Sequence, residues 1–150
     1  MHILLITTLP NKVASALREK ADVIDCRNYN TIAERLQSYR MHCTPDLLIT
    51  YRCPYILPSE IYVDVPLGAF NIHPSLLPKY KGLNPWEAII RNNEKESGVT
   101  IHRITEAIDG GEIMMQQTFA INTSFPLNVL RAQADEIAAE MIIEFVNHDL

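Results

Sequence analysis

Residues 70–82 read FNIHPSLLPKYKG and residues 108–112 read IDGGE; together they decide how the rest of the chain is read. From Ala69 to His73 apolar and polar residues alternate as they do in a strand, so Asn71 and His73 leave one face about 6 to 7 Å apart along the chain. A polar pair on an otherwise apolar strand calls for a reason. Pro74, Pro78 and Gly82 follow at once, so the strand stops and the chain turns outward over its end. Open α/β sheets place their ligand sites over such ends.

Upstream, residues 2–7 are β-branched and leucine-rich, and residues 11–20 carry Val13, Ala14 and Leu17 at helical spacing, which makes the opening a βα unit. The join from Thr7 to Asn11 contains no glycine. It is therefore not built like the turns whose backbone NH groups close on a phosphate. Residues 22–26 read as a second strand, 31–43 as a helix capped by Asn30 or Thr31 and packed through Ile32, Leu36 and Tyr39, and 46–50 as a third strand. This alternation predicts parallel strands. The expected fold is one α/β domain over residues 1–150: a single open, mostly parallel twisted sheet with helices on both faces.

Residues 51–58, YRCPYILP, form a loop over the third strand, with Pro54 and Pro58 blocking its continuation. Taken alone, that loop is a proline-bounded surface segment with Ile56 and Leu57 turned into the core. Downstream of Gly82, Asn84 can cap a helix with Pro85 in its first position and Trp86, Ile89 and Ile90 on its apolar face. Trp86 reads as a packing anchor rather than a ligand stacker. Residues 98–104 and 112–121 are the next strands. From Pro126 onward, Leu127, Leu130, Ala134, Ile137, Met141 and Phe145 mark a long amphipathic closing helix.

Composition narrows the function classes. With 150 residues, 47% hydrophobic and 21% charged, the chain reads as a soluble globular domain with one core, and no apolar run is long enough to cross a bilayer. Its start works better as a strand than as a signal peptide, so a cytoplasmic location is expected. Thirteen basic against eighteen acidic side chains, net −5, leave no electrostatic footprint for nucleic acid. Cys26, Cys43 and Cys53 are odd in number and widely spaced, which suggests reduced thiols rather than disulfides or a zinc site, and no metal centre is expected.

The order Asn71-Ile72-His73-Pro74-Ser75-Leu76-Leu77-Pro78, then Tyr80 and Gly82, then Gly98-Val99-Thr100-Ile101-His102, then Asp109-Gly110-Gly111-Glu112-Ile113 resembles the formyltransferases that use 10-formyltetrahydrofolate. Those enzymes have a Rossmann-like fold and include glycinamide ribonucleotide, methionyl-tRNA and amino-sugar formyltransferases. The resemblance implies that Asn71 polarises the formyl oxygen, His73 stabilises the developing charge and Asp109 organises proton transfer through water. It assigns the folate pocket to the backbone of Tyr55, Ile56 and Leu57, together with Ile108 and Gly110. The part before Asn71 is short of a βα unit by comparison. In the glycinamide ribonucleotide enzymes the matching half holds the acceptor phosphate with a glycine-rich first loop, so that substrate is put in doubt.

The residue chemistry is compatible with these roles. Asn71 can donate through its amide and His73 through an imidazole NH, both able to stabilise an oxyanion when held rigidly, and Asp109 supplies a base on a glycine-rich turn. Each has a plainer reading by itself: a strand-end asparagine tying down a turn, a satisfied core histidine and an Asp-Gly turn residue. Ser75 reads as a turn residue with no hydrolase triad around it. His102, alternating with Ile101 and Ile104, reads as support or pocket lining. Lys79, Lys81 and Arg103 are solvated by default.

The expected acceptor is the primary amine of a small metabolite, an amino sugar or sugar nucleotide. Glycinamide ribonucleotide is the alternative within the family. Hydrolysis of the formylated folate and folate binding without turnover are the alternatives in other classes. Transfer RNA is disfavoured by the negative charge and by a chain that stops at Leu150, whereas the methionyl-tRNA enzymes carry an additional C-terminal domain. The amphipathic ends permit a homodimer.

Overall fold

A computed structural model describes every residue except Asn28 and Asp149; the side chains of Tyr29, Asn30, Thr31 and Arg40 are also left undescribed. Among the described residues eleven elements follow in order: β1 (Ile3–Thr7), α1 (Lys12–Ala16), β2 (Ala21–Asp25), α2 (Tyr29–His42), β3 (Leu47–Tyr51), α3 (Ser59–Tyr62), β4 (Ala69–His73), α4 (Pro85–Arg91), β5 (Glu96–Arg103), β6 (Ile113–Ala120) and α5 (Leu127–His148). Helix α2 begins at Tyr29, so Asn30 and Thr31, expected as its cap, stand inside its first turn. The six strands form one sheet in the order β2-β1-β3-β4-β5-β6. Strands β2, β1, β3 and β4 run parallel, and β5 and β6 are antiparallel to their neighbours.

Strand alternation sorts the core into two layers. Ile3 and Leu5, Leu47, Ile49 and Tyr51, and Phe70 and Ile72 face the layer closed by α1, α4 and α5. Leu4, Ile6, Leu48 and Ala69 face the layer closed by α2 and by Leu57 and Val65 around α3. Helices thus cover both faces, as the strand–helix alternation predicts. The second layer is shorter. Past β3 its side chains turn polar: Thr50, Asn71, His73, Thr100 and His102 occupy the positions that alternate with the apolar ones. Loops rather than helices lie over them.

Three local expectations change. Helix α1 ends at Ala16, four residues early, because Leu17 leaves helical geometry at φ −97° and ψ 5° and the following bonds tighten to three-residue turns, Arg18 N–H to Ser15 O and Lys20 N–H to Leu17 O, as the chain turns into β2. Asn11 caps the helix by accepting from Ala14 N–H at 2.8 Å. Asn84 takes the N-cap position of α4, but its side chain bonds no helix N–H. The short helix α3 carries no sequence signal beyond Pro58 before it and an acidic first turn.

Candidate active site

Asn71 is oriented from both sides. Thr50 Oγ1 on β3 donates to Asn71 Oδ1 at 2.7 Å, and Asn71 Nδ2 lies 3.1 Å from His102 Nε2 on β5, its partner in the sheet. With the oxygen occupied by a hydroxyl donor, the amide orientation is fixed and one Nδ2–H stays available to a ligand.

His73 is held differently. Its Nε2 lies 2.7 Å from the Tyr80 carbonyl, which can only accept, so Nε2 carries the proton and Nδ1 faces Asp109 Oδ2 at 3.6 Å. Burial lowers the imidazole pKa, outweighing the Tyr80 carbonyl and the Asp109 charge, which raise it; His102 adds to the lowering. The imidazole NH expected from the sequence to serve a ligand is therefore committed to the loop. Nδ1 can donate into the site only after taking up a proton.

Asp109 reaches the pair from the connection between β5 and β6 rather than from a strand. Because β5 runs antiparallel to β4, Arg103 at its end lies beside Phe70, at the start of β4. The connection after β5 folds back over the polar face and brings Asp109 to both histidines, 3.4 Å from His102 Nε2 and 3.6 Å from His73 Nδ1. Gly82 N–H from the loop after β4 donates to its Oδ2 at 2.7 Å. Burial would raise this carboxyl, but His102, the Gly82 N–H and the charges of His73 and His102 more than offset it and hold the pKa below the ordinary carboxylate value.

In this turn the positive φ falls on Asp109 itself, at 50°, a conformation that aspartate tolerates better than most residues. A Cβ on Gly111 would collide with the Arg103 carbonyl oxygen, so Gly111 is there for backbone packing. A register slip between Ile101 and His102 sits beside this crossing.

These side chains open onto a cavity of about 650 Å³ whose wall includes Asn71, His73, His102 and Asp109. Tyr55, Ile56, Leu57 and Ile108 also line it; Gly110 is not part of the wall, and its N–H bonds Ala107 O at 3.1 Å. Leu57 is buried and Ile56 is 75% exposed, so the surface-loop reading that turned both into the core holds for one of them. Trp86 is buried in the first layer, as expected, although it also borders the cavity. Lys79 lies 3.9 Å from Glu94, and Arg103 covers the Phe70 ring at 4.9 Å.

The wall contains groups that the sequence did not announce. Tyr51 at the end of β3 donates to Asp135 of α5, and Arg52 Nη1 lies 3.4 Å from the same carboxylate. Arg131, one turn earlier on α5, lines the cavity as well. Asp135 and Arg131 stand on the polar face of an amphipathic helix, where charge is the default, so nothing local marked them.

The formyl transferase family model matches residues 7–146. A methionyl-tRNA formyltransferase of Thermotoga neapolitana is 34% identical over 140 residues, covering 93% of this chain and 44% of the relative. Phosphoribosylglycinamide formyltransferase of Bacillus halodurans superposes with a TM-score of 0.74 at 20% identity, covering 94% of this chain and 91% of that one. A Mycobacterium tuberculosis protein described as a candidate sugar N-formyltransferase superposes with a TM-score of 0.76 at 25% identity, covering 97% and 66%. The chain belongs to the formyl transferase family. It spans 33% to 44% of the length of the first curated relatives it matches. Among the described residues no helix is long and apolar enough to cross a membrane.

Proposed function

We propose that this chain transfers a formyl group from 10-formyltetrahydrofolate to a primary amine. The observation that carries this reading is the convergence of Asn71, His73, His102 and Asp109 on one cavity, where they line one wall and contact one another.

In this mechanism the amine attacks the formyl carbon, and the oxygen takes up negative charge as the carbon becomes tetrahedral. The free Asn71 Nδ2–H donates to that oxygen from a rigid strand, where an oriented donor needs no reorganisation. Asp109, ionised at neutral pH, draws the proton from the incoming amine, directly or through a water. Asp109 passes that proton to His73 Nδ1, 3.6 Å away, which makes that atom a second donor beside the oxyanion until it delivers the proton to the departing N10 nitrogen and Asp109 is again ionised. The donor folate lies along Tyr55, Ile56 and Leu57, with Ile108 on the facing loop and Gly110 behind it supporting Asp109.

The acceptor is the amine of a small metabolite, an amino sugar or sugar nucleotide. Arg52 and Arg131 in the wall suit an acceptor that carries a phosphate or carboxylate. A second reading, the aminoacyl group of methionyl-tRNA, is favoured by the names of the sequence relatives at 34–36% identity. Spectroscopic detection of deformylated folate against amino sugars, sugar nucleotides, glycinamide ribonucleotide and methionyl-tRNA separates the two. Turnover with a small amine supports the first reading, turnover with the tRNA alone supports the second, and formate release without any amine makes the protein a hydrolase. Folate binding with no turnover across the panel overturns catalysis altogether.

A further inference from the structure

At the end of the sheet opposite the cavity, three side chains from separate segments meet. His2 precedes β1, Asp22 stands in β2, and Cys43 follows α2. Cys43 Sγ lies 3.1 Å from His2 Nδ1, and His2 Nε2 lies 2.8 Å from Asp22 Oδ2. A carboxylate can only accept, so Nε2 carries the proton and Nδ1 presents its lone pair to the thiol. The Tyr39 ring stacks on His2 with centroids 5.8 Å apart and restrains the imidazole. Burial above all, then Cys43 and the nearby carboxylates, pushes the Tyr39 phenol up, so it remains a neutral neighbour. A nucleophile, a base within reach of it and a carboxylate orienting that base make the arrangement of an activated thiol. Formyl transfer makes no use of it.

We propose that Cys43 is a modification site that His2 and Asp22 activate towards small disulfides. The thiol proton passes to His2 Nδ1 as the sulfur attacks one sulfur of the disulfide. The old S–S bond breaks, a mixed disulfide forms on Cys43, and the departing thiolate takes the proton from the imidazolium. One disulfide and one thiol give one disulfide and one thiol: Cys43 is oxidised and the leaving half is reduced, with no further reactant. The flanking carboxylates select among reagents. Asp22 is 62% exposed, and Asp46, 46% exposed, accepts from the His2 backbone N–H at 2.6 Å. An entering molecule therefore meets net negative charge, moderated by the chain amino group 3.9 Å from Asp46. A cationic disulfide such as cystamine is favoured over the anionic glutathione disulfide.

The other cysteines differ. Cys26 is fully buried, and Cys53 lines the cavity. Peptide mapping after timed exposure of the full chain to cystamine is expected to find Cys43 modified first, and more slowly with glutathione disulfide. A free thiol is only a few per cent ionised at neutral pH, so a base gains about tenfold and no more than roughly thirtyfold. His2→Gln should therefore slow Cys43 about tenfold, and Asp22→Asn should slow it several-fold, while Cys53 keeps its rate in both. A merely structural contact would leave these rates alone. Asp22 is exposed, so its variant decides the matter if His2→Gln folds poorly. Modification of Cys53 ahead of Cys43, or a Cys43 rate unchanged in Asp22→Asn, overturns the proposal. Glutathione disulfide reacting faster than cystamine overturns the selection by charge.

Discussion

Two histidine–carboxylate clusters lie at opposite ends of one sheet, and the shorter contact belongs to the more exposed one. His102 and His73 stand 3.4 and 3.6 Å from Asp109; His2 stands 2.8 Å from Asp22. Burial separates them. The side chains of His73, His102 and Asp109 are 6%, 4% and 10% exposed, whereas those of His2 and Asp22 are 37% and 62% exposed. Water around the outer pair screens its charges and leaves it little to contribute to stability. In the inner cluster the same kind of contact acts at lower dielectric, and there both the His73 and Asp109 pKa values move. Contact distance alone therefore says little about how strongly a pair acts on the fold; the surrounding medium sets that strength.

Variants of the two clusters can test this contrast. The largest effect is expected for Asp109→Asn, which keeps the Gly82 contact but removes the base; formyl-transfer rates should fall by about 10² to 10⁴. Near-normal turnover would take Asp109 out of the mechanism and the inner cluster out of catalysis. His73→Ala should cost about 10² to 10³, the range for one lost oxyanion donor. Full activity in that variant would leave His73 as a brace for the Tyr80 loop and nothing more.

The inner cluster should also make stability depend on acid, and the sign follows from the direction of each shift. Burial holds the His73 imidazole below its unfolded value of about 6.5, so the unfolded chain takes up that proton first. Its contribution is complete above that pH and is lost as the pH falls through it towards the folded value. Asp109, held below 3.8, keeps its contribution until the pH falls under 3.8. Melting temperatures should therefore decline between pH 7.5 and 5.5, and His73→Gln should flatten that decline. An unchanged slope in the variant would place the acid sensitivity elsewhere. The smallest effect belongs to the outer pair: Asp22→Asn should change the unfolding free energy by no more than about 0.5 kcal/mol in urea denaturation. A loss well above that would mean that the exposed pair behaves as a buried one.

Much of the architecture was legible because it follows from local rules. Alternation marked the strands, three- and four-residue spacing marked α5, and prolines and glycines marked the breaks. The misreadings fell where distant contacts override those rules. The length of α1 is set by its entry into β2. The turn at residues 109–111 is strained at Asp109, and Gly111 answers to the Arg103 carbonyl on a neighbouring segment. The reading of His102 as support or pocket lining, by contrast, agrees with its place in the cavity wall, 3.1 Å from Asn71. Only its pairing with Asn71 and the return of the loop bring it within reach of Asp109.

The order of residues along the chain determined the strand that carries Asn71 and His73, the α/β class, the family, and Asp109 as a partner for the pair. Those features rest on periodicity and on motifs that survive in one dimension. Tertiary structure alone decided that β5 turns antiparallel, that Asp109 arrives by folding back over the sheet, that the His73 NH is spent on Tyr80, and that Cys43 meets His2 and Asp22. Each of these depends on contacts that only the folded chain brings about, and such contacts have no local signature.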